Sequence, residues 1–221
     1  RTFAYMSDVH TGARRDPQMK AKPIQALTQS IDICIEQQVQ FLLIAGDLFN
    51  TALPPIDLIK QTVEQLKRLN IPIYIIAGSH DYSPSGKTML DVLEQAGIFT
   101  NVMRGTQQDN TLRLTPTIEP NTQTRIAGIF GKAAMLDKSY YQALEPNLQA
   151  DIFLFHTAIT ELIPSSFEQM DTMPQSLLPA GCNYYAGGHV HIRAIQTYND
   201  APIVYPGPVF PDNMKELEDL E

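Results

Sequence analysis

The sequence is poor in cysteine and lacks a long apolar run. Its only two cysteines are Cys34 and Cys182, which argues against a disulfide framework and for a reducing compartment, the cytoplasm. The longest apolar runs, at 41–45 and 71–78, are far shorter than the roughly 20 residues of a membrane span. We therefore expect a soluble protein without a membrane partner. The chain starts at Arg1, which we interpret as a trimmed start that carries no signal peptide.

The chain is also short of positive charge. It has 16 lysines and arginines against 24 aspartates and glutamates, a formal net charge of −8. General nucleic-acid binders usually show a basic footprint, so this balance argues against that class. The length of 221 residues allows a substantial core, and one large domain is favoured over two small ones.

Over the first hundred residues, short apolar segments alternate with amphipathic ones. Continuous apolar segments, typical of strands buried on both faces, lie at 2–6, 41–45 and 71–77. Apolar residues at helical spacing predict helices at 24–35, 56–66 and 90–96, the third ending at Gly97. This order predicts a parallel sheet covered by helices.

From about residue 100 the pattern is rich in strands, with a weaker helical stretch near 133–144. We therefore predict an α/β fold in which two mixed β-sheets pack face to face between flanking helices, in four layers α/β/β/α. The domain is placed over residues 1–210. Residues 211–221 are interpreted as an acidic tail that is solvated or cut from something longer.

All five histidines follow apolar segments, and one further apolar segment ends at Asp47. In parallel sheets ligands gather beyond the carboxyl ends of strands, so these side chains are expected to converge. Taken singly, each histidine is more often an ordinary core or surface residue, and Asp8 or Asp47 a turn or helix-capping residue. Taken together, two aspartates and four or five histidines suit manganese, iron or zinc. The set exceeds the about three protein ligands of one catalytic metal, so two ions are expected.

Five short motifs carry a family resemblance. The segments "SDVHTG", "GDLFN", "GSHD", "FHTA" and "GGHVH" resemble the signature of the calcineurin-like metallophosphoesterases, whose sandwich fold agrees with the predicted layers. Within that superfamily, residues 7–17, 42–50 and 76–97 resemble the nuclease subunit of the DNA double-strand-break repair complex, the SbcD-type exonuclease, and we expect an archaeal form. The resemblance implies that residues 211–221 begin a truncated C-terminal capping region.

The resemblance also implies roles for single residues. It implies seven ligands to two divalent transition-metal ions: Asp8, His10 and His191 at the first, Ser79, His156 and His189 at the second, and Asp47 bridging both. Manganese is expected, with iron or zinc as alternatives. His80 is implied beside the scissile phosphate, where it stabilises the phosphorus centre or protonates the leaving oxygen. Asp81 is expected to orient a histidine ring nitrogen.

Ser79 departs from the family pattern, which usually has asparagine at this position. A hydroxyl is a shorter and weaker neutral donor than an amide oxygen, so we expect an occupied but looser second metal site. The alternative is that the serine has abolished the second site and left a one-metal or inactive relic.

The function implied by the resemblance is DNA phosphodiester hydrolysis by an exonuclease or endonuclease, with a metal-activated hydroxide attacking phosphorus in line. Two divalent ions would change the net charge from −8 to −4. Cations that follow the motifs are together predicted to contact DNA, although each alone is more typical of ordinary surface charge: Arg14, Arg15, Lys87 and Arg193. DNA ends and an SbcC-type ATPase are the expected partners, and homodimerisation is left open.

Two other functions stay open. The first is a metal-dependent phosphodiesterase or phosphatase that acts on nucleotides or other small substrates. The second, ranked lowest, is a non-catalytic interaction module on the same fold. That module would normally have lost His80 or several ligands, and this sequence keeps His80 together with six of the seven.

Overall fold

A computed structural model describes residues 2–14, 16–83, 86–132, 136–146, 148–164, 170–213 and 216–217. The first half of the chain forms a parallel four-stranded sheet, with its strands in sequence order: β1 (Ala4–Met6), β2 (Leu42–Ala45), β3 (Ile73–Ile76) and β4 (Thr100–Asn101). Parallel neighbours need long crossovers, and helices provide them: α1 (Lys22–Glu36), α2 (Ile56–Leu66) and α3 (Met89–Gln95). The predicted βα alternation is therefore confirmed.

The second half of the chain forms a hairpin and a larger sheet. The hairpin joins β5 (Gly105–Gln108) and β6 (Thr111–Leu114). The larger sheet is built from β7 (Thr117–Ile118), β8 (Arg125–Ile129), β9 (Ile152–His156), β10 (Tyr184–Gly188), β11 (Arg193–Tyr198) and β12 (Ala201–Pro206). Its order is β11-β12-β10-β9-β8-β7. The four inner strands are parallel and both edge strands antiparallel.

The two sheets pack face to face through a shared apolar core. Along β2, Leu43 faces the second sheet while Leu42 and Ile44 face the helices, because strand side chains alternate with period two. The inter-sheet core joins Phe41, Leu43, Tyr74 and Ile76 to Ile126, Ile152, Leu154 and Ala186. The predicted packing of two sheets is confirmed, although only the six-stranded sheet is mixed.

Helices cover both outer faces, but unequally. Helices α1, α2 and α3 contribute buried residues to the core on the outer face of the four-stranded sheet. Over the six-stranded sheet lie the hairpin, loops and the short helix α4 (Lys138–Ala143). Helix α4 is shorter than the stretch predicted near 133–144, of which residues 133–135 lie outside the described range.

Local chemistry accounts for the ends of α3. Its N-cap residue Thr88 forms a capping box with Asp91, which satisfies amide groups of the first turn. After its last turn the chain reaches Gly97 with φ 74°, a left-handed conformation that glycine adopts without strain. The predicted stop at Gly97 is thus confirmed.

In the described part of the chain, no helix combines the length and the apolar character that crossing a membrane requires. Cys34 and Cys182 are both buried free thiols, as expected for packing residues.

Candidate metal centre

The predicted site residues lie at the carboxyl ends of strands from both sheets. Asp8 and His10 follow β1, Asp47 follows β2, and Ser79 and His80 follow β3. From the six-stranded sheet, His156 is the last residue of β9, and His189 and His191 follow β10. Because both sheets present these ends at the same edge, residues far apart in sequence come together, as predicted.

The ligand atoms of these residues are close enough to hold metal ions. Among the described residues, three groups have ligand atoms within 4.8 Å of one another: Asp8–His10–His191, His10–Asp47–His80 and Asp8–Asp47–His156. The groups share Asp8, His10 and Asp47, so they form one continuous cluster. Its aspartates are almost completely buried, with 0% of Asp8 and 2% of Asp47 exposed. Two buried carboxylates need compensating positive charge.

The distances inside the cluster show imidazole nitrogens and carboxylate oxygens directed at a common space. The Nε2 atoms of His10 and His191 are 3.2 Å apart. Asp47 Oδ2 lies 3.1 Å from His156 Nε2 and 3.6 Å from His10 Nε2. Asp8 Oδ1 lies 3.6 Å from His191 Nε2. Such a convergence of imidazole and carboxylate groups is the donor set of a transition-metal site.

His156 shows most clearly that the cluster fits a cation. Its Nδ1 lies 2.8 Å from the carbonyl oxygen of Ala45, which can only accept a hydrogen bond, so Nδ1 carries the proton. In the neutral ring, Nε2 is then an unprotonated donor atom. It is buried, finds no hydrogen-bond partner among the described residues, and faces the Asp47 carboxylate. A lone pair and a carboxylate oxygen that face one another are compatible with a metal ion between them.

Backbone strain accompanies the cluster. Four residues predicted as ligands have left-handed backbone conformations: Asp8 (φ 52°), His10 (φ 46°), Asp47 (φ 53°) and His189 (φ 86°). Residues other than glycine rarely adopt such angles, and those that do concentrate at functional sites. The strain here aims side chains from tight loops at one point.

Two glycines allow the loops to approach the cluster. A Cβ atom at Gly78 would lie 2.2 Å from Asp47 Oδ1, and one at Gly46 would lie 2.3 Å from His156 Nδ1. Neither position can hold a larger residue without displacing a predicted ligand. The glycines in the segments "AGD" and "AGS" therefore serve close packing around the metal centre.

Asp81 joins the loops after β2 and β3. Its carboxylate accepts hydrogen bonds from the backbone N–H groups of Gly78 (3.0 Å), Leu48 (3.2 Å) and Phe49 (3.0 Å). The predicted contact was with a histidine ring, so the structure gives this buried aspartate a different set of partners. Burial and the neighbouring Asp47 carboxylate raise the pKa of Asp81 to about 7.

The charged groups of the cluster change one another's pKa values. Burial alone would lower the pKa of His156, but the Asp47 carboxylate outweighs it and raises that pKa to about 10. Burial is likewise outweighed at His191, where Asp8 and Glu216 raise the pKa to about 9. When no cation is bound, both rings are therefore protonated on both nitrogens at neutral pH and carry a positive charge. A cation that binds to them must displace these protons.

The remaining predicted residues lie beside this cluster. The ring of His189 packs against that of His156 with centroids 5.2 Å apart, and its backbone N–H donates to Asp8. Its ring belongs to none of the three groups found among the described residues. The Ser79 hydroxyl donates to Asp47 Oδ2 over 3.5 Å.

His80 is exposed and lies at the mouth of the cluster. Its backbone N–H donates to Asp47 Oδ1 over 2.8 Å, and its Nδ1 lies 3.1 Å from the carbonyl oxygen of Asn50. Its ring meets the ring of His10 edge to face, with centroids 4.8 Å apart. His80 can therefore reach both the cluster and a substrate.

Glu216 contacts the cluster through His191, and the sequence did not reveal this contact. Its Oε1 lies 3.1 Å from His191 Nδ1, and it also accepts hydrogen bonds from Asp212 and Asn213. Glu216 is half-buried, and the interpretation of residues 211–221 as a tail that is solvated or cut from something longer stays a prediction. No local pattern distinguishes Glu216 from the other acidic residues of the segment "KELEDLE". Whether the domain ends at residue 210 stays a prediction.

The cations predicted to contact DNA differ in their surroundings. The guanidinium of Arg14 donates to the Pro211 carbonyl, lies 3.7 Å from Asp212, and covers the ring of Phe210. Arg14 is thus occupied by the C-terminal segment. Lys87 and Arg193 are exposed, and Arg15 lies outside the described residues.

The sequence matches the family described as calcineurin-like phosphoesterase over residues 1–193. The chain belongs to this family. Calcineurin-like phosphoesterases are metal-dependent, and the clustered carboxylates and imidazoles are a candidate site for two divalent cations. The predicted fold and enzyme class are therefore confirmed.

The similarity to individual proteins is more specific than the family match. The chain is 30% identical to the DNA double-strand break repair protein Mre11 of Methanococcus maripaludis, covering 99% of this chain and 60% of that protein. It is 27% identical to the Mre11 of Archaeoglobus fulgidus, covering 99% and 52%. This calcineurin-like phosphoesterase thus spans between half and three-fifths of these relatives. The crystal structure of TT1561 of Thermus thermophilus shares the fold, with a TM-score of 0.57, 12% identity, and coverage of 95% and 90%.

Proposed function

We propose that this domain hydrolyses phosphodiester bonds of DNA as a nuclease of the double-strand-break repair type, in the SbcD branch. The observation that carries the proposal is the cluster itself, in which Asp8 and Asp47 meet imidazoles from both sheets. The similarity to proteins named for DNA double-strand break repair extends over 99% of the chain and supports DNA as the substrate.

The residues divide between two cations, for which manganese is the proposed metal. Asp8, His10 and His191 would hold the first, and Ser79, His156 and His189 the second. Asp47 is proposed as the bridge because its Oδ2 lies between His156 Nε2 (3.1 Å) and His10 Nε2 (3.6 Å), which belong to different halves. The two cations, when bound, activate a water molecule and neutralise the charge that develops on the phosphate.

His80 is proposed as the acid that protonates the leaving oxygen. Its Nδ1 donates to the Asn50 carbonyl, which fixes the ring and leaves Nε2 for the substrate. In the hydrolysis, water adds to phosphorus and loses a proton to solvent, and the ester bond breaks. The departing oxygen takes the proton from Nε2 of the protonated ring, and solvent then restores that proton. The products are a phosphate monoester and a hydroxyl-terminated strand.

The partners and the location of the protein are proposed from the same relatives. DNA ends and an SbcC-type ATPase are the expected partners, homodimerisation is left open, and the proposed compartment is the cytoplasm. Lys87 and Arg193 are exposed and are retained as proposed contacts to DNA phosphates. Arg14 would first have to leave Asp212.

Digestion of end-labelled duplex and hairpin DNA with manganese tests the proposal, with His80→Ala as the matched control. We expect metal-dependent products from the wild type, which a chelator abolishes, and a large loss of rate in the variant. Hydrolysis of nucleotides or aryl phosphodiesters without DNA cleavage would favour the small-substrate enzyme instead. No hydrolysis of any of these substrates would favour the interaction module.

A further inference from the structure

A lysine enclosed by aromatic rings lies outside the metal cluster. The ammonium of Lys132 is 5.0 Å from the ring centroid of Tyr82, 4.9 Å from that of Phe130 and 4.7 Å from that of Tyr140. It also donates a hydrogen bond to the Tyr140 hydroxyl over 3.2 Å. We call these four residues, Tyr82, Phe130, Lys132 and Tyr140, the aromatic platform. All four are half-buried, so part of each remains accessible to solvent.

The aromatic platform adjoins the metal centre on the side of His156. Tyr82 directly follows Asp81, which joins the loops of the cluster. Between Phe130 and Lys132, the backbone of Gly131 donates to Ala77, and a Cβ atom at this glycine would lie 2.4 Å from the His156 ring. The platform is thus anchored next to the proposed second cation.

The Lys132 ammonium has different neighbours from those of many other cations in the protein. Many cations in the described part of the chain are paired with carboxylates: Arg14, Lys60, Arg68, Arg104, Arg113 and Arg125. Lys132 forms no ion pair within 4 Å among the described residues, although the buried Asp137 carboxylate acts on its charge from farther away. Aromatic faces attract a cation without neutralising it. An ammonium has three N–H donors, and the Tyr140 hydroxyl uses one, so donors remain for an anion.

We infer that the aromatic platform binds the nucleotide next to the scissile phosphate in single-stranded DNA. Lys132 binds a backbone phosphate, and the aromatic rings stack on a nucleobase. Stacking on rings is independent of base sequence and needs an unpaired base. The inference deepens the proposed function and rests on it, because it assigns the strand form that reaches the cations.

The test compares kcat/KM for a single-stranded oligonucleotide with kcat/KM for bis(4-nitrophenyl) phosphate, which lacks a base. The variants are Tyr82→Leu and Lys132→Met. Lys67→Met removes one charge from the exposed end of α2 and serves as the control. We expect the ratio of the two constants to fall about tenfold in Tyr82→Leu and Lys132→Met and to stay within about twofold in Lys67→Met.

A second readout uses oligonucleotides with an abasic site placed in turn at each position around the cleaved bond. At one position the wild type should lose about tenfold in rate, and Tyr82→Leu should lose almost nothing more, because the same contact is already missing. Unchanged ratios in Tyr82→Leu and Lys132→Met, or equal losses on both substrates, would overturn the inference while DNA cleavage by the wild type still stands. Absence of DNA cleavage by the wild type would instead overturn the proposed function.

Discussion

The two sheets contribute different chemistry to one site. The four-stranded sheet supplies both carboxylates of the cluster, Asp8 and Asp47, from strained loops tied together by Asp81. The six-stranded sheet supplies imidazoles, with His156 at the end of β9 and His191 after β10. Neither sheet alone has the full donor set. The metal centre therefore depends on the packing of the inter-sheet core, and variants of each side should fail in different ways.

The largest effect on activity is expected at Asp47, which lies close to histidines from both halves of the chain. Asp47→Asn keeps an oxygen for the His80 backbone N–H but removes the charge that faces His156 and His10. We expect DNA hydrolysis to fall about a thousandfold and at least one cation to be lost. Asp32→Asn on α1 makes the same change at the surface. Full activity in Asp47→Asn would break the proposed bridge between the halves.

A variant of His80, in the first half of the chain, distinguishes a role in catalysis from a role in metal binding. The geometry places a ligand atom of His80 near His10 and Asp47, whereas its proposed role is proton donation. His80→Ala should lose about a hundredfold in kcat and bind cations as the wild type does. Elemental analysis after dialysis distinguishes the two roles, since loss of a cation from His80→Ala would make this residue a ligand.

Much of the first half follows from the sequence, because its signals are local. Continuous apolar segments and helical spacing predicted α1 within two residues of its observed ends and placed Asp47 at the end of a strand. The second half depends on pairing between distant segments. Strand β12 lies between β10 and β11, and no periodicity within β12 specifies that position.

The contacts of Glu216 and Lys132 could not be predicted for the same reason. Glu216 contacts His191, which lies 25 residues away in the sequence. Lys132 contacts Tyr82, which belongs to a different loop. In each contact, neither segment carries a sequence pattern that indicates the other segment as its partner. The convergence of aspartates and histidines could be predicted because several of these residues follow strands, whereas single supporting contacts could not.

Glu216 offers a smaller change in the second half. Its carboxylate orients the ring of His191 through Nδ1, and such supporting contacts typically change metal affinity by about tenfold or more. Glu216→Gln should therefore weaken the first cation about tenfold and leave the second unchanged. Glu64→Gln on α2 is the control for the lost charge. Calorimetric titration with manganese measures both sites, and equal affinities in Glu216→Gln and wild type would remove Glu216 from the site.

The smallest effect is expected at Ser79. Its hydroxyl lies 3.5 Å from Asp47 Oδ2, and an asparagine amide would reach farther toward the second cation. Ser79→Asn should tighten the second cation a few-fold, by roughly 1 kcal/mol or less, without changing the first. A tenfold or greater loss of second-site affinity in the asparagine variant would contradict the expectation of a loose site completed by serine.

The stoichiometry of manganese tests the central claim most directly. Equilibrium dialysis at saturating manganese, followed by elemental analysis, should find two ions per wild-type chain and about one in His156→Ala. That result would place cations between side chains of both sheets. One ion or fewer per wild-type chain would contradict the two-cation centre from which the proposed nuclease activity is argued.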